Sequence, residues 1–135
     1  MKSPKEIVEL MFSNDLYSRF LGVSIESCSH GTCQLKLKVH EQLLNGFKIA
    51  HGGISYALAD SALAFAANTY GFKAVSIESS ISHLKTVDLG DDLIATAVEI
   101  NKGNKLGVYQ VTVLNQNNLL VAHFKGTVFF SQDHW

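Results

Sequence analysis

The spacing of apolar and polar residues predicts the order helix, two strands, long helix and four strands. The first helix is expected over residues 3–12, with Ser3 as N-cap, Pro4 at the first helical position and Glu6 completing a capping box. Residues 15–20 have the pattern of a second helical turn.

Six stretches have the pattern of β-strands. Residues 21–28 and 32–39 form the first hairpin, and apolar residues alternate with polar ones in its second strand, so one face meets solvent. The remaining strands are expected at residues 74–84, 93–101, 105–115 and 119–131. In the first of these, one face is expected to carry Val75, Ile77, Ser79, Ile81 and His83.

The long helix is expected from about Gly52 to about Thr69, and Gly71 is a natural residue to follow its end. It is apolar on nearly all faces, so most of its surface must be buried. A twisted antiparallel sheet wrapped around one helix provides that burial. The sequence therefore predicts an α+β hotdog fold, with a six-stranded antiparallel sheet around a long central helix and a short N-terminal helix. We expect residues 1–135 to form one such domain.

One carboxylate, Asp60, lies within this apolar helix. Its neighbours one helical turn away are Tyr56, Ala57, Leu63 and Ala64, so no cation on the same helix can pair with it. A solvent-facing stripe would explain an arbitrary Asp, but this helix is apolar nearly all round. Burying an unpaired carboxylate is costly, and such a residue is usually kept for a chemical task, often with a shifted pKa.

The composition excludes several classes of function. Of the 135 residues, 47% are hydrophobic and 17% are charged, and the formal net charge is −1. These values are typical of an ordinary globular domain. Lys and Arg are scattered, so no nucleic-acid or membrane-binding surface is indicated. The N-terminal residues do not resemble a signal peptide, and we expect a cytoplasmic protein.

The cysteines and histidines indicate no cofactor chemistry. Cys28 and Cys33 could form a disulfide by spacing alone, although a pair of free thiols fits a cytoplasmic protein better. The histidines are scattered, with no spacing that indicates metal ligation. We therefore expect neither a metal nor a cofactor.

The residues around the start of the long helix carry a family signature. The run Asn45-x5-His51-Gly52-Gly53-x6-Asp60 closely resembles the PaaI-like hotdog thioesterases, which are associated with phenylacetic acid degradation. Residues 58–62, 89–97 and 103–109 are also similar to that family, so the resemblance covers roughly residues 10–130. It implies hydrolysis of acyl-CoA thioesters by a hotdog dimer, commonly assembled into a homotetramer as a dimer of dimers.

The resemblance also implies the functional positions. The catalytic positions are Asn45, His51, Gly52 and Asp60, and the substrate-binding positions are Ser76, Lys85, Gly53 and Tyr56. Lys85 keeps the cation of a Leu-Arg-Pro motif common in the family, although Thr86 replaces the proline. Lys102 and Lys105 could also meet CoA phosphates. The residues that could line a pocket for an aryl group are Tyr56, Phe47, Phe65 and Phe72.

These residue types fit thioester hydrolysis. Gly52 lies at the helix start, where unpaired N–H groups and the helix dipole favour negative charge, so its N–H can stabilise an oxyanion. Asn45 can place an amide at the same oxygen or hold the water, and His51 can fix the loop or lie near the departing sulfur. Asp60 is then either the general base or the nucleophile.

The positions of Gly52 and Asp60 predict a site shared between subunits. They are eight residues apart on one helix, which corresponds to about 12 Å. One carbonyl carbon needs its oxyanion donor and its attacking water each within roughly 3 Å. One helix cannot supply both, whereas two antiparallel helices of a twofold dimer can.

Two other classes of function remain open. A hotdog hydratase or dehydratase would act on hydroxyacyl thioesters and would also combine a His and an acid from two subunits. A non-catalytic acyl-CoA-binding module would use the fold without the chemistry. Such modules tend to lack the acid, and Asp60 is present here.

Overall fold

The computed structural model describes residues 1–135 and contains three α-helices and six strands. The helices are α1 (Pro4–Asn14), α2 (Leu16–Leu21) and α3 (Gly52–Asn68), with a 3-10 turn at Glu41–Leu43. The strands are β1 (Ser24–Ser29), β2 (Thr32–Lys38), β3 (Phe72–His83), β4 (Asp92–Lys102), β5 (Leu106–Leu114) and β6 (Leu120–His134). No helix is both long and apolar enough to cross a membrane.

The capping box at Ser3 and the turn at Gly71 form as predicted, and Asp15 adds a cap that was not predicted. The Ser3 hydroxyl accepts the Glu6 N–H while the Glu6 carboxylate accepts the Ser3 N–H, so both halves of the capping box are present. The Asp15 carboxylate caps α2 by accepting the Ser18 N–H. Gly71 follows α3 at φ +92°, a left-handed conformation that favours glycine.

The six strands form one antiparallel sheet in the order β1-β2-β4-β5-β6-β3. The sheet edges are therefore β1 and β3. Helix α3 packs across the sheet and contacts every strand from β2 to β6. The fully buried face of the helix includes Leu58, Ala59, Ala62 and Leu63. This arrangement is the predicted six-stranded sheet around a central helix.

The alternation predicted for β3 is wrong at one point. Val75 pairs with Phe129 and Ser76 with Val128, but the next pair joins Glu78 to Thr127, so Ile77 is an extra residue in a β-bulge. A one-residue insertion exchanges the two faces of a strand. Ser79, Ile81 and His83 therefore lie on the same face of the strand as Ser76, and not on the face of Val75. The face toward the helix carries Ala74, Ser76, Ser79, Ile81 and His83.

The first strand also begins later than predicted. Leu21 ends α2, and Gly22 turns the chain at φ +87° before β1 starts at Ser24.

Cys28 and Cys33 lie opposite each other in the hairpin, and both are free thiols.

Gly126 marks the closest approach of helix and sheet. A Cβ added at this residue of β6 would overlap the Leu63 side chain of α3. We predict that Gly126→Ala lowers the free energy of unfolding by about 1–3 kcal/mol, because an extra carbon must be forced into a filled core. Chemical denaturation with urea measures the loss. Gly46→Ala is the control, because a Cβ at Gly46 meets nothing within 4 Å. Equal stability of the two variants would contradict this account of the packing.

Candidate active site

A cavity of about 430 Å³ opens at the N-terminus of α3. Its polar lining includes Asn45 from the preceding loop, Gly52 from the first turn of the helix, and His83 and Lys85 from the end of β3 and the loop after it. Three of the predicted site residues, Asn45, Gly52 and Lys85, therefore share one cavity.

The start of α3 leaves one backbone donor free. The His51 Nδ1 accepts the Gly53 N–H at 2.9 Å, so the imidazole is the N-cap of the helix. The Gly52 N–H makes no hydrogen bond within the chain. A Cβ at Gly53 would lie 2.9 Å from His51 Nδ1, so glycine permits this capping contact. Of the two roles considered for His51, the geometry supplies the loop-fixing one, and its ring does not line the cavity.

Asn45 presents its amide nitrogen as a second donor. Its Oδ1 accepts the N–H groups of Phe47 at 2.9 Å and Ile49 at 3.4 Å, which holds the side chain in the loop. The Nδ2 group makes no hydrogen bond within the chain. Because the oxygen is occupied by the backbone, the free function of Asn45 is to donate.

Asp60 lies in a second cavity of about 420 Å³, on the flank of α3. Its carboxylate is half-buried and forms neither a hydrogen bond nor a salt bridge with any group of the chain. Burial raises the pKa of Asp60 above its ordinary value. The predicted stranded carboxylate is therefore present in the structure.

Three of the ten residues that line the Asp60 cavity are aromatic. Phe65 lies on α3, as Asp60 does, Tyr17 lies on α2, and Trp135 directly follows β6. The Trp135 indole N–H donates to the buried Asn68 Oδ1 at 2.7 Å, which ties the last residue to the end of α3. Tyr17 and Trp135 were not predicted for the site. Their position depends on contacts between distant parts of the chain and not on any local pattern.

Tyr56 and Ser76 lie outside both cavities. The Tyr56 hydroxyl hydrogen-bonds to the Ser79 hydroxyl and links α3 to β3. Ser76 is exposed in the middle of β3, on the side that faces the helix. Of the residues considered for an aryl pocket, Phe65 lines the Asp60 cavity, and Phe72 lines a different cavity with Lys102 and Lys105.

His83 was not predicted as a site residue from the sequence. It ends β3 and lines the cavity at the start of α3. A Cβ at Gly52 would lie 3.2 Å from His83 Nε2 and 3.3 Å from Cε1, so the ring packs directly over this glycine. Only the sheet register, which includes the bulge at Ile77, brings the two residues together.

No cavity of the single chain contains both Gly52 and Asp60. The free donors lie at the end of α3, and the carboxylate lies on its flank. No group of three or more His, Cys, Asp or Glu side chains is arranged to hold a metal ion. The site thus separates into a donor half and a carboxylate half.

The family model described as "Thioesterase superfamily" matches residues 47–122, which include the start of α3 and Asp60. The chain belongs to this family. Acyl-coenzyme A thioesterase PaaI of Escherichia coli is 38% identical over 116 residues, covering 86% of this chain and 83% of the relative. A putative esterase of Archaeoglobus fulgidus is 37% identical over 125 residues, covering 93% of this chain and 81% of the relative.

Solved structures confirm the hotdog fold. The E. coli PaaI structure matches with a TM-score of 0.95 at 34% identity, covering 97% of this chain and 95% of that one. A hypothetical thioesterase of Streptococcus pneumoniae, solved with coenzyme A, matches with a TM-score of 0.87 at 28% identity, covering 93% and 98%. The chain is a PaaI-like thioester hydrolase.

The raised pKa of Asp60 predicts a stability change with a defined pH dependence. A carboxyl group whose pKa is higher in the folded state destabilises that state once it ionises. Asp60→Asn should therefore raise the thermal unfolding midpoint at neutral pH. The gain should shrink as the pH falls through the Asp60 pKa, because the wild type then folds with a neutral carboxyl group.

Thermal unfolding at neutral and acidic pH measures this effect. Asp133→Asn is the control, because Asp133 is an exposed carboxylate outside both cavities. An Asp60→Asn variant less stable than the wild type at neutral pH would show that the carboxylate is a structural group.

Proposed function

We propose that this enzyme hydrolyses acyl-CoA thioesters, with an aryl-acetyl-CoA or a similar acyl-CoA as substrate, and releases the free acid and CoA. Asp60 of one subunit acts with Asn45 and Gly52 of a second copy of the chain. The observation that carries the proposal is the division of the site. Unpaired donors and an unpaired carboxylate lie in separate cavities of one chain. The cavity of Asn45 and Gly52 does not contain Asp60, and the cavity of Asp60 contains neither donor.

The chemistry follows from the free groups. The thioester oxygen accepts the Gly52 N–H and the Asn45 amide, which stabilise negative charge as the carbonyl carbon is attacked. Asp60 takes a proton from the attacking water, and its pKa, raised by burial, makes it a better base than an exposed carboxylate. The C–S bond then breaks, and CoA leaves as a thiolate that takes up a proton. Direct attack by the Asp60 carboxylate is the alternative route to the same products.

Three observations support an acyl-CoA substrate with an aryl group. The similar proteins include PaaI, named as an acyl-coenzyme A thioesterase, and a streptococcal thioesterase solved with coenzyme A. The walls around Asp60 include Tyr17, Phe65 and Trp135, and aromatic walls favour a flat apolar group. Lys85 at the donor cavity supplies a positive charge suited to a CoA phosphate.

The free edge of β3 supports assembly with a second copy. This twelve-residue strand pairs only with β6, and Val75 and Ile77 are 63% and 57% exposed. A long exposed edge with apolar residues is a surface for pairing with another strand. Twofold pairing of two β3 edges makes the two α3 helices antiparallel, so each N-terminus faces the flank of the other helix. A homotetramer would join two such dimers.

The substrate is tested by measuring free thiol release from phenylacetyl-CoA, short-chain and long-chain acyl-CoAs. We expect the wild type to turn over the aryl-acetyl substrate best, and Asp60→Ala to lose about 10²–10⁴-fold in kcat. Glu26→Ala is the control, because Glu26 is an exposed carboxylate on β1 at the opposite sheet edge. A wild type that releases no thiol from any substrate would refute the proposed function.

The shared site is tested by mixing two inactive variants. Asp60→Asn removes the base, and Gly52→Pro removes the free N–H at a helix position where proline is tolerated. After unfolding and refolding together at equal amounts, half of the dimers are mixed and each has one intact site. We therefore expect about a quarter of wild-type activity. A mixture as inactive as its two components would rule out a site built from two subunits.

A further inference from the structure

Ser55 and His83 are two polar side chains of the donor cavity that the proposed mechanism does not use. Ser55 is only 4% exposed, yet its hydroxyl lines the cavity and makes no hydrogen bond within the chain. A helical serine usually bonds to a backbone carbonyl of the preceding turn. Because no fully buried polar side-chain atom lacks a partner, the Ser55 hydroxyl must be open to the cavity, where water or a ligand can bond to it. Ser55 therefore offers a hydroxyl that can form hydrogen bonds at the wall of the cavity.

His83 is the second of these side chains. It pairs with the buried Ala122 in the sheet register, so it points to the side of the sheet that α3 covers. Neither ring nitrogen has a hydrogen-bond partner within the chain. The Nε2 atom lies 3.2 Å from the place where a Gly52 side chain would begin. The imidazole thus reaches the helix N-terminus with its donor uncommitted.

The absence of a side chain at Gly52 brings the two donors together. A larger residue would press against the His83 ring and push it away from the helix, because contacts of 3.2–3.3 Å are too close for most carbon neighbours. Gly52 and the His83 ring are therefore adjacent in the wall of the same cavity. An oxygen atom placed there can accept hydrogen bonds from the backbone on one side and the ring on the other.

We propose that His83 is a further catalytic residue, which donates an Nε2–H hydrogen bond to the thioester oxygen in addition to the Gly52 and Asn45 donors. This inference rests on the proposed function. The proton stays on His83 throughout, since the group stabilises developing charge and does not transfer a proton. A donor aimed at a developing oxyanion lowers the barrier more than it strengthens substrate binding. The Ser55 hydroxyl borders the same space and supplies a weaker, additional donor.

Steady-state kinetics of His83→Phe test this role directly. Phenylalanine keeps a flat ring over Gly52 but has no donor. We expect kcat to fall by about 10²-fold, the usual effect of losing one oxyanion donor. KM should change by less than about threefold, because the contact matters mainly in the transition state. His83→Gln restores an N–H donor and should recover at least about tenfold of the lost kcat.

Three variants complete the design. His83→Ala removes the donor without adding a bulky ring, so a similar fall in kcat excludes a steric effect of phenylalanine. Ser55→Ala should lower kcat by less than His83→Phe does. His123→Phe is the control, because His123 lies on β6 outside every cavity and should keep wild-type kcat. Thermal unfolding midpoints establish that each variant is folded.

The outcomes separate this inference from the proposed function. A wild type that hydrolyses no acyl-CoA overturns both. An active wild type with unchanged kcat in His83→Phe and His83→Ala overturns the role of His83 alone. A raised KM with unchanged kcat makes His83 a binding residue only, and a glutamine variant as slow as the alanine variant shows that its donor is not the reason for the loss.

Discussion

The structure depends on burying one almost entirely apolar helix against one antiparallel sheet. Leu58, Ala59, Ala62 and Leu63 of α3 are fully buried, and Gly126 has no side chain because Leu63 occupies that space. This packing fixes the direction of the helix relative to every strand. It leaves the N-terminus of α3 open beside the end of β3, and it leaves the flank that carries Asp60 facing the N-terminal helices.

The chemistry of the site follows from what this packing leaves unsatisfied. The Gly52 N–H and the Asn45 Nδ2 group lack partners in the chain, and the Asp60 carboxylate lacks a cation. Unpaired polar groups reduce folding stability, and enzymes commonly accept this loss where the groups serve catalysis. The donors and the carboxylate lie too far apart on one helix to act on one carbonyl. In the proposed dimer, a second copy of the chain attached at the exposed β3 edge would bring the two halves together.

The sequence predicted the features that depend on near neighbours. Ser3 and Glu6 form their capping box within one helical turn, and Asp60 stands out against its own helix. Features set by distant contacts were missed. Ile77 fits a regular alternation in sequence, but the pairing with β6 makes it a bulge and moves His83 to the helix side. Trp135 reaches the Asp60 cavity through a hydrogen bond to a residue 67 positions away.

The most direct test of the account is a crystal structure with a non-hydrolysable acyl-CoA analogue. The account predicts that the analogue's carbonyl oxygen lies about 3 Å from the Gly52 N–H of one subunit, while Asp60 of the other subunit faces the carbonyl carbon across the space of one water. A structure in which both groups come from the same chain, or in which Asp60 faces away from the analogue, would contradict it.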